Sequence, residues 1–239
     1  MTRVKVINSH EPVAHSHIDY LGLMYSDSQR PKTRYPGKLA LHLVHRFKIP
    51  KGSRLLDVGC GRGEFLQGFL DAGVNAQGVD GSPTAGQMTD VSLVTRTDID
   101  SEPLPFADAT FDVVFSKSVL EHMSDPKSLL MEQFRVLKHG GLVITMVPAW
   151  EYQYKIFYND FTHRSPLTIV SLQAVTESCG FVDSKSIYFR QLPLLWANPW
   201  LLPIAELTRV VMPTSFGKRS KWVRFSKELM LLCSAHRPS

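Results

Sequence analysis

The chain is short of cysteine, of uninterrupted apolar runs, of internal repeats and of net charge outside its last residues, and each shortage excludes a class of protein. Three cysteines (Cys60, Cys179 and Cys233) are an odd number at no metal-ligand spacing. That excludes a disulfide framework and a cysteine-based zinc site and leads us to expect a reduced, cytoplasmic chain. The opening stretch MTRVKVINSHEPVAHSH holds no apolar segment of the kind a secretory signal needs. Residues 192–212 have the length of a membrane span, but Pro193, Pro199 and Pro203 with Asn198, Glu206 and Arg209 interrupt them. A lone helix in lipid would tolerate that badly, so a transmembrane helix is rejected.

What is present is an ordinary globular composition over 239 residues: 44% hydrophobic, 21% charged and 10% aromatic. A chain of this length buries roughly 70–75% of its unfolded surface and needs neither disulfide nor metal to stay folded. The net charge is +5. From Thr214 onward there are six basic residues (Lys218, Arg219, Lys221, Arg224, Lys227 and Arg237) against one acid, Glu228. That segment therefore carries the whole excess and the rest is neutral. A nucleic-acid enzyme spreads a basic face over its body, so no nucleic-acid partner is expected.

Strand-like and helix-like patterns alternate from about residue 38 to 190, which predicts an α/β domain with a mostly parallel sheet. Strands are expected at 54–59 (RLLDVG), 75–80 (NAQGVD), 92–98, 111–117 (FDVVFSK), 142–147 (LVITMV), 181–190 and 228–237. Leu39, Leu43 and Phe47 share one face of a first helix, and a second runs from about Glu64 to Ala72. Asp125, Pro126, Lys138, His139 and Gly140 bracket a further helix, and Ser165, Pro166 and Gly180 bracket another.

The sharpest local signal is LLDVGCGRG over residues 55–63, ending a strand and opening a helix. Its glycines allow close backbone approach to a ligand. A dinucleotide site would want G-x-G-x-x-G, with a pyrophosphate on the helix N-terminus. Here the spacing is G-x-G-x-G, position 64 is Glu, and Asp57 lies inside the strand. Asp57 suits a cationic amino-acid group better than phosphate. Asp80 closes the second strand, where a carboxylate can take both hydroxyls of a ribose. Asp98 closes the third, followed by Ile99, where a carboxylate and a backbone amide can read an adenine. One such acid reads as a turn cap, but three, each after its own strand, favour a single ligand: S-adenosylmethionine.

The sequence resembles the class I S-adenosylmethionine-dependent methyltransferases, in particular the small-molecule type 11 branch, through LLDVGCGRGEF, GVDGSP, LPFADATFDVVFSKSVLEHM and LLMEQFRVLKHGGLVITMVP in order. The resemblance implies a Rossmann-like class I methyltransferase fold: a seven-stranded, mostly parallel sheet of order 3-2-1-4-5-7-6 with helices on both faces and a reversed last strand. It implies Asp57, Gly59 and Gly61 around the methionine part, with Cys60 as a small filler between them. It further implies Asp80 and Gly81 at the ribose, Asp98 and Ile99 at the adenine, and Ser116 beside the sulfonium. The chain is expected to be one domain over 1–239, with an N-terminal cover (1–52), a cofactor-binding core (53–190), an insertion or lid (191–226) and a last strand (227–239). Tyr25 and Arg34 in the cover are the expected contacts to the cofactor's carboxylate.

Methyl transfer from a sulfonium is an in-line displacement that mainly needs alignment. A hydroxyl acceptor also needs a base, whereas an amine needs only to be unprotonated. His122 and His163 are the candidate bases, each weighed against a purely structural histidine. Ubiquinone-biosynthesis and small-RNA-end methyltransferases carry Glu-x-x-Glu-His here as divalent-cation ligands. In this chain the first Glu is Ser118, ahead of Glu121 and His122, so one hard oxygen is missing and no metal ligands are assigned. Ser-Lys-Ser after the fourth strand does not resemble the motif of amino-methylating DNA enzymes, and no Pro-Cys dipeptide provides a cytosine nucleophile. The absence of a Tyr-x-x-x-Lys pair argues against a nicotinamide oxidoreductase.

These readings converge on O-methylation of a small-molecule or lipid-linked acceptor such as a sugar or glycolipid, with S-adenosylhomocysteine as product. N-methylation of a small amine and a non-catalytic partner subunit are the alternatives. Segment 191–227 sets Trp196 and Trp200 before GKRSKWVRFSK. It reads as a lid with its apolar side on the core, a homodimer surface, or a peripheral membrane contact.

Overall fold

The computed structural model describes residues 33–239. The expectations for Tyr25 and for most of the N-terminal cover lie outside them. Seven strands form one sheet: β1 (Arg54–Val58), β2 (Asn75–Asp80), β3 (Val94–Arg96), β4 (Phe111–Lys117), β5 (Leu137–Pro148), β6 (Val182–Phe189) and β7 (Met230–His236). Their order is β3-β2-β1-β4-β5-β7-β6, as expected. β3 to β5 pair in parallel through β2, β1 and β4, while β7 runs antiparallel to both β5 and β6.

The central strands read as continuous apolar runs because both faces of the sheet are covered. Successive residues point to opposite faces. Leu56, Val58, Val114, Val143 and Val147 belong to one core cluster. Leu55, Val113, Phe115, Ile144 and Met146 belong to the other. The helices are α1 (Tyr35–Arg46), α2 (Glu64–Asp71), α3 (Pro126–Val136), α4 (Trp150–Gln153), α5 (Ile169–Ser178), α6 (Pro193–Ala197), α7 (Leu202–Val211) and α8 (Lys221–Lys227). The first of these packs Leu39 and Leu43 into the second cluster. It meets α2 so closely that a Cβ on Gly68 would lie 2.9 Å from the Gly37 Cα.

Three expected boundaries shift. Lys138 and His139 are not in the last turn of α3, which stops at Val136, but in β5, which starts at Leu137. Lys138 is held there by Asp112 on β4 at 2.7 Å, and Leu137 pairs with Phe111. Helix α5 starts not at Ser165–Pro166 but after Thr168, whose hydroxyl and that of Ser171 form a reciprocal capping box. Ser165 is engaged instead with the Met123 carbonyl at 3.0 Å. β3 is shorter than expected: a 3₁₀ turn capped by Asp90 occupies Val91–Leu93, and the strand ends at Arg96, so Asp98 lies two residues beyond it.

Residues 191–227 connect β6 to β7 through α6, α7 and α8. Phe189 at the end of β6 lies opposite Met230, which lies opposite Pro148 at the end of β5. The insertion therefore leaves the sheet at the carboxyl ends of the parallel strands. It has a small core of its own, built on Leu192, Leu195 and Ala205. Trp196 anchors it by stacking on His42 of α1 at 4.6 Å and donating to the Arg190 carbonyl.

Gly68→Ala tests the α1–α2 contact. Helix propensity alone would make Ala better by about 1 kcal/mol. The 2.9 Å approach to backbone predicts instead a loss of about 1–3 kcal/mol in urea unfolding.

Candidate functional site

In open α/β sheets ligands bind beyond the carboxyl ends of the strands, and the predicted site residues gather there. The glycine loop leaves β1 in left-handed conformations that only glycine holds without strain. A Cβ on Gly59 would meet Val119 at 2.4 Å, so this loop is pressed against the loop that follows β4. The Asp80 carboxylate secures it from the other side. One oxygen accepts from the Gly61 amide and the other from the Ser82 amide, each at 2.8 Å. Burial holds the Asp80 carboxyl above its usual range.

Asp57 is almost wholly buried, and its Oδ2 has no hydrogen-bond partner. Burial, and then the nearby charge of Asp80, push its carboxyl up to about 8. The Leu66 amide and the Lys117 charge only partly offset them. A buried acid with an unused oxygen fits a ligand that brings its own cation, as the amino group of an amino acid does. Cys60 is buried against Gly78, and burial raises its thiol far above the ordinary range. Arg62 binds Glu64 at 2.8 Å, so the loop acid that argued against a pyrophosphate is partly neutralised. The glycine spacing and Asp57 are what remain of that argument.

A Cβ on Gly81 would lie 3.3 Å from the Thr97 carbonyl oxygen and 3.7 Å from the Asp98 Cα, so the chain beyond β2 runs close to the chain beyond β3. The Asp98 carboxylate accepts from the Asp100 amide at 3.2 Å and the Ser101 hydroxyl at 2.7 Å, and Ile99 packs on the first core cluster. Ser116 is buried in β4 with its hydroxyl 3.4 Å from that of Thr145. Arg34 is exposed at the amino end of α1.

The second half of the site follows β4. Ser118 adopts a left-handed conformation, and a 3₁₀ turn over Leu120–His122 sinks Glu121. The Glu121 carbonyl accepts from the Arg164 and Ser165 amides at 2.7 and 3.1 Å, which clamps the segment carrying His163. His122 Nδ1 meets the Thr162 hydroxyl at 2.8 Å, and that hydroxyl donates to Asp160 at 2.6 Å. His163 Nδ1 meets the Phe157 carbonyl at 2.7 Å. A carbonyl can only accept, so the His163 proton lies on Nδ1 and its basic lone pair on Nε2. The two rings stand edge to face, 4.7 Å apart.

Glu121 was read from sequence only as a metal-type ligand; its burial and Lys117 were missed. Burial pushes the Glu121 carboxyl up to about 8 against the opposing effects of its own amide, Lys117 and the Ser118 hydroxyl, and Oε2 has no partner. Donor atoms of Glu121, His122 and His163 lie within 4.8 Å of one another, so a divalent ion could be held here. The ammonium of Lys117 lies over the Phe65 ring at 5.4 Å and acts on both buried acids. A lysine ending an apolar strand was the available signal.

A seven-stranded sheet with its last strand reversed, a glycine loop after the first strand and an acid at or near the carboxyl end of each of the first three strands define the class I methyltransferase fold. Residues 56–145 match the family described as a methyltransferase domain. Over 105 residues the chain is 39% identical to an uncharacterized methyltransferase of Mycobacterium leprae, covering 42% of this chain and 39% of that protein. Over 114 residues it is 38% identical to one of Mycobacterium tuberculosis, covering 46% and 45%. The match spans about two fifths of the length of these curated relatives. Among solved structures, a chain of the complex between the Haloferax volcanii Trm112 methyltransferase activator and a methyltransferase superposes with TM-score 0.68 at 21% identity, over 94% of this chain and 100% of that one. Haemonchus contortus phosphoethanolamine N-methyltransferase 2 in complex with S-adenosyl-L-methionine gives 0.65 at 20%, over 92% and 60%. These two likenesses bear on the fold.

The buried acids set a pH dependence. An unfolded carboxyl ionises near pH 4, whereas Asp57 and Glu121 in the folded chain keep their protons to about 8. The folded state binds more protons across that window, so stability is full at its acid end and is lost as pH rises toward 8. Each group contributes a slope of up to about 1.4 kcal/mol per pH unit. Urea unfolding of the ligand-free protein is expected to show this decline, and the double variant Asp57→Asn, Glu121→Gln to flatten it. Equal slopes would show that the two acids are ionised when folded.

Proposed function

We propose that this chain is a methyltransferase that uses S-adenosylmethionine, releases S-adenosylhomocysteine and methylates a hydroxyl of a small molecule, a sugar, glycolipid or similar metabolite. The cofactor supplies an electrophilic methyl on a sulfonium. Asp57, with Gly59, Cys60 and Gly61, surrounds the methionine part, and its unused oxygen takes the cationic amino group. Arg34 takes the carboxylate. Asp80 and Gly81 hold the ribose, and Asp98 and the Ile99 amide read the adenine. The carboxylate oxygens already bonded to backbone amides keep a second lone pair for these contacts. Ser116 lies on the sulfonium side.

The hydroxyl reading is carried by the His122–His163 pair. A hydroxyl must lose its proton as its oxygen is methylated, whereas an amine needs no base. His163, with Nδ1 committed to the Phe157 carbonyl, presents Nε2 as the base. The Thr162–Asp160 relay orients His122 and stabilises the charge that develops on the pair. Tyr158 and Phe161, both exposed in the segment that carries His163, offer rings on which a sugar or aromatic acceptor can stack.

A second reading is favoured by the orphaned Glu121 Oε2 and the three converging donors: Glu121, His122 and His163 hold a divalent ion that binds the acceptor oxygen. Chelation separates the two. Transfer that survives exhaustive chelator treatment supports the histidine base, and transfer abolished by chelator and restored by added cation supports the metal.

Methyl-labelled S-adenosylmethionine is to be offered with panels of sugars, glycolipids and amines. Label is expected on a hydroxyl acceptor. His163→Ala should lower kcat about 10²- to 10⁴-fold, with S-adenosylhomocysteine affinity unchanged. Label on amines alone, indifferent to both histidines, would replace the hydroxyl reading with N-methylation. Tight cofactor binding with no label on any acceptor would favour a non-catalytic partner subunit.

A further inference from the structure

Helix α7 is built inside out. Its inward face carries the fully buried Ala205 together with polar groups. Glu206 pairs with Arg190 and, at 2.6 Å, with Arg209. The Thr208 hydroxyl accepts from the Trp222 indole at 3.0 Å, and Arg209 lies over the Tyr152 ring at 5.1 Å. Its outward face carries Ile204, Leu207, Val210 and Val211, which are 50–69% exposed. At about 100° per residue, Ile204, Leu207 and Val211 fall within roughly 60° of one another. Trp200, 71% exposed, continues the stripe one turn before the helix. Leu194 and Phe216 add exposed apolar surface in the same insertion. The apolar side that the insertion buries consists of Leu192, Leu195 and Ala205, with Leu201, Trp222 and Phe225 against them and Trp196 against the second core cluster.

A contiguous apolar stripe turned to water marks a binding surface. Its charge context selects the occupant. Segment 191–227 holds six basic residues (Arg209, Lys218, Arg219, Lys221, Arg224 and Lys227) and one acid, Glu206. Arg219 and Lys221 are exposed in the turn and helix that follow the stripe, while the exposed Arg224 pairs with Glu228 at 2.8 Å. Pairing two copies through this face would oppose two such segments around a two-fold axis. An anionic lipid surface complements both the stripe and the cations. No helix among the described residues is long and apolar enough to cross a membrane, so the contact is with the surface.

We propose that residues 194–224 form a peripheral docking surface for an anionic bilayer, with Trp200, Ile204, Leu207 and Val211 entering the interface and Arg219 and Lys221 meeting the headgroups. The insertion emerges at the carboxyl rim of the sheet, so docking sets the methyl-transfer site beside the membrane, where a lipid-linked acceptor would be presented. The surface itself does not depend on the methyl-transfer reading.

The test is co-sedimentation of the full chain with phosphatidylcholine vesicles, with and without about one third phosphatidylglycerol. Partition is expected to be at least tenfold stronger onto the anionic vesicles and to fall steeply between about 0.05 M and about 0.5 M salt. Leu207→Glu with Val211→Glu should abolish it, and Arg219→Glu with Lys221→Glu should weaken it tenfold or more. These side chains point outward, so unchanged circular dichroism and unchanged S-adenosylhomocysteine affinity should accompany the loss. Equal partition onto neutral and anionic vesicles, or none onto either, overturns the proposal. So does a wild-type dimer in sedimentation equilibrium that Leu207→Glu with Val211→Glu turns into monomer, since a second copy would then be the occupant.

Discussion

Two carboxyl groups buried at one rim of the sheet constrain everything around them. Asp57 and Glu121 are each about 1–2% exposed, and each has an oxygen without a hydrogen-bond partner. Lys117 acts on both but does not restore either to its ordinary range. Burying an acid without a committed partner is unfavourable, and the unfavourable state is relieved by a proton or by a cationic ligand. Strain of this kind is expected at sites whose function is to bind. The two acids lie at neighbouring central strands, Asp57 within β1 before the glycine loop and Glu121 in the 3₁₀ turn that follows β4 and Ser118, so a ligand in one half of the site faces the other.

The loops at this rim are held by hydrogen bonds to backbone, which leaves side chains for ligands. Asp80 fixes the glycine loop through the Gly61 amide. The Glu121 carbonyl fixes residues 164 and 165. Gln153 reaches the Leu229 carbonyl at 2.5 Å, tying the segment after β5 to the end of the insertion. The histidine pair, the cofactor loop and the insertion are thus three clamped parts of one rim. Arg209 over Tyr152 adds a side-chain link between the insertion and the segment after β5.

Much of this was legible in the sequence. β1 and β4 announce themselves by apolar runs because a strand covered on both faces is largely apolar, and Asp125 with Pro126 marks α3 because a helix start has few chemical solutions. The strand order required resemblance, since pattern alone does not order a sheet. Boundaries failed where tertiary contacts outweighed local signals. Lys138 and His139 look like a basic helix end, yet Lys138 belongs to Asp112 across the sheet. Ser165 looks like a cap, yet it is spent on Met123. The charge states of Asp57 and Glu121 were not legible, because burial is a property of the assembled rim. Nor was the outward turn of α7, whose sequence is amphipathic whichever side faces the domain.

The most direct test is calorimetric titration of the full chain with S-adenosylhomocysteine near pH 7, in buffers of different ionisation enthalpy. Burial and the nearby Asp80 push the Asp57 carboxyl up to about 8, so near pH 7 it is expected to give up a proton when it pairs with the ligand's amino group. Binding is therefore expected to release up to about one proton, to tighten by up to tenfold per unit as pH rises toward 8, and to lose both effects in Asp57→Asn. Binding with no proton exchange would mean that Asp57 is already charged, or that the ligand's cation lies elsewhere. Absence of binding would contradict the assignment of the site.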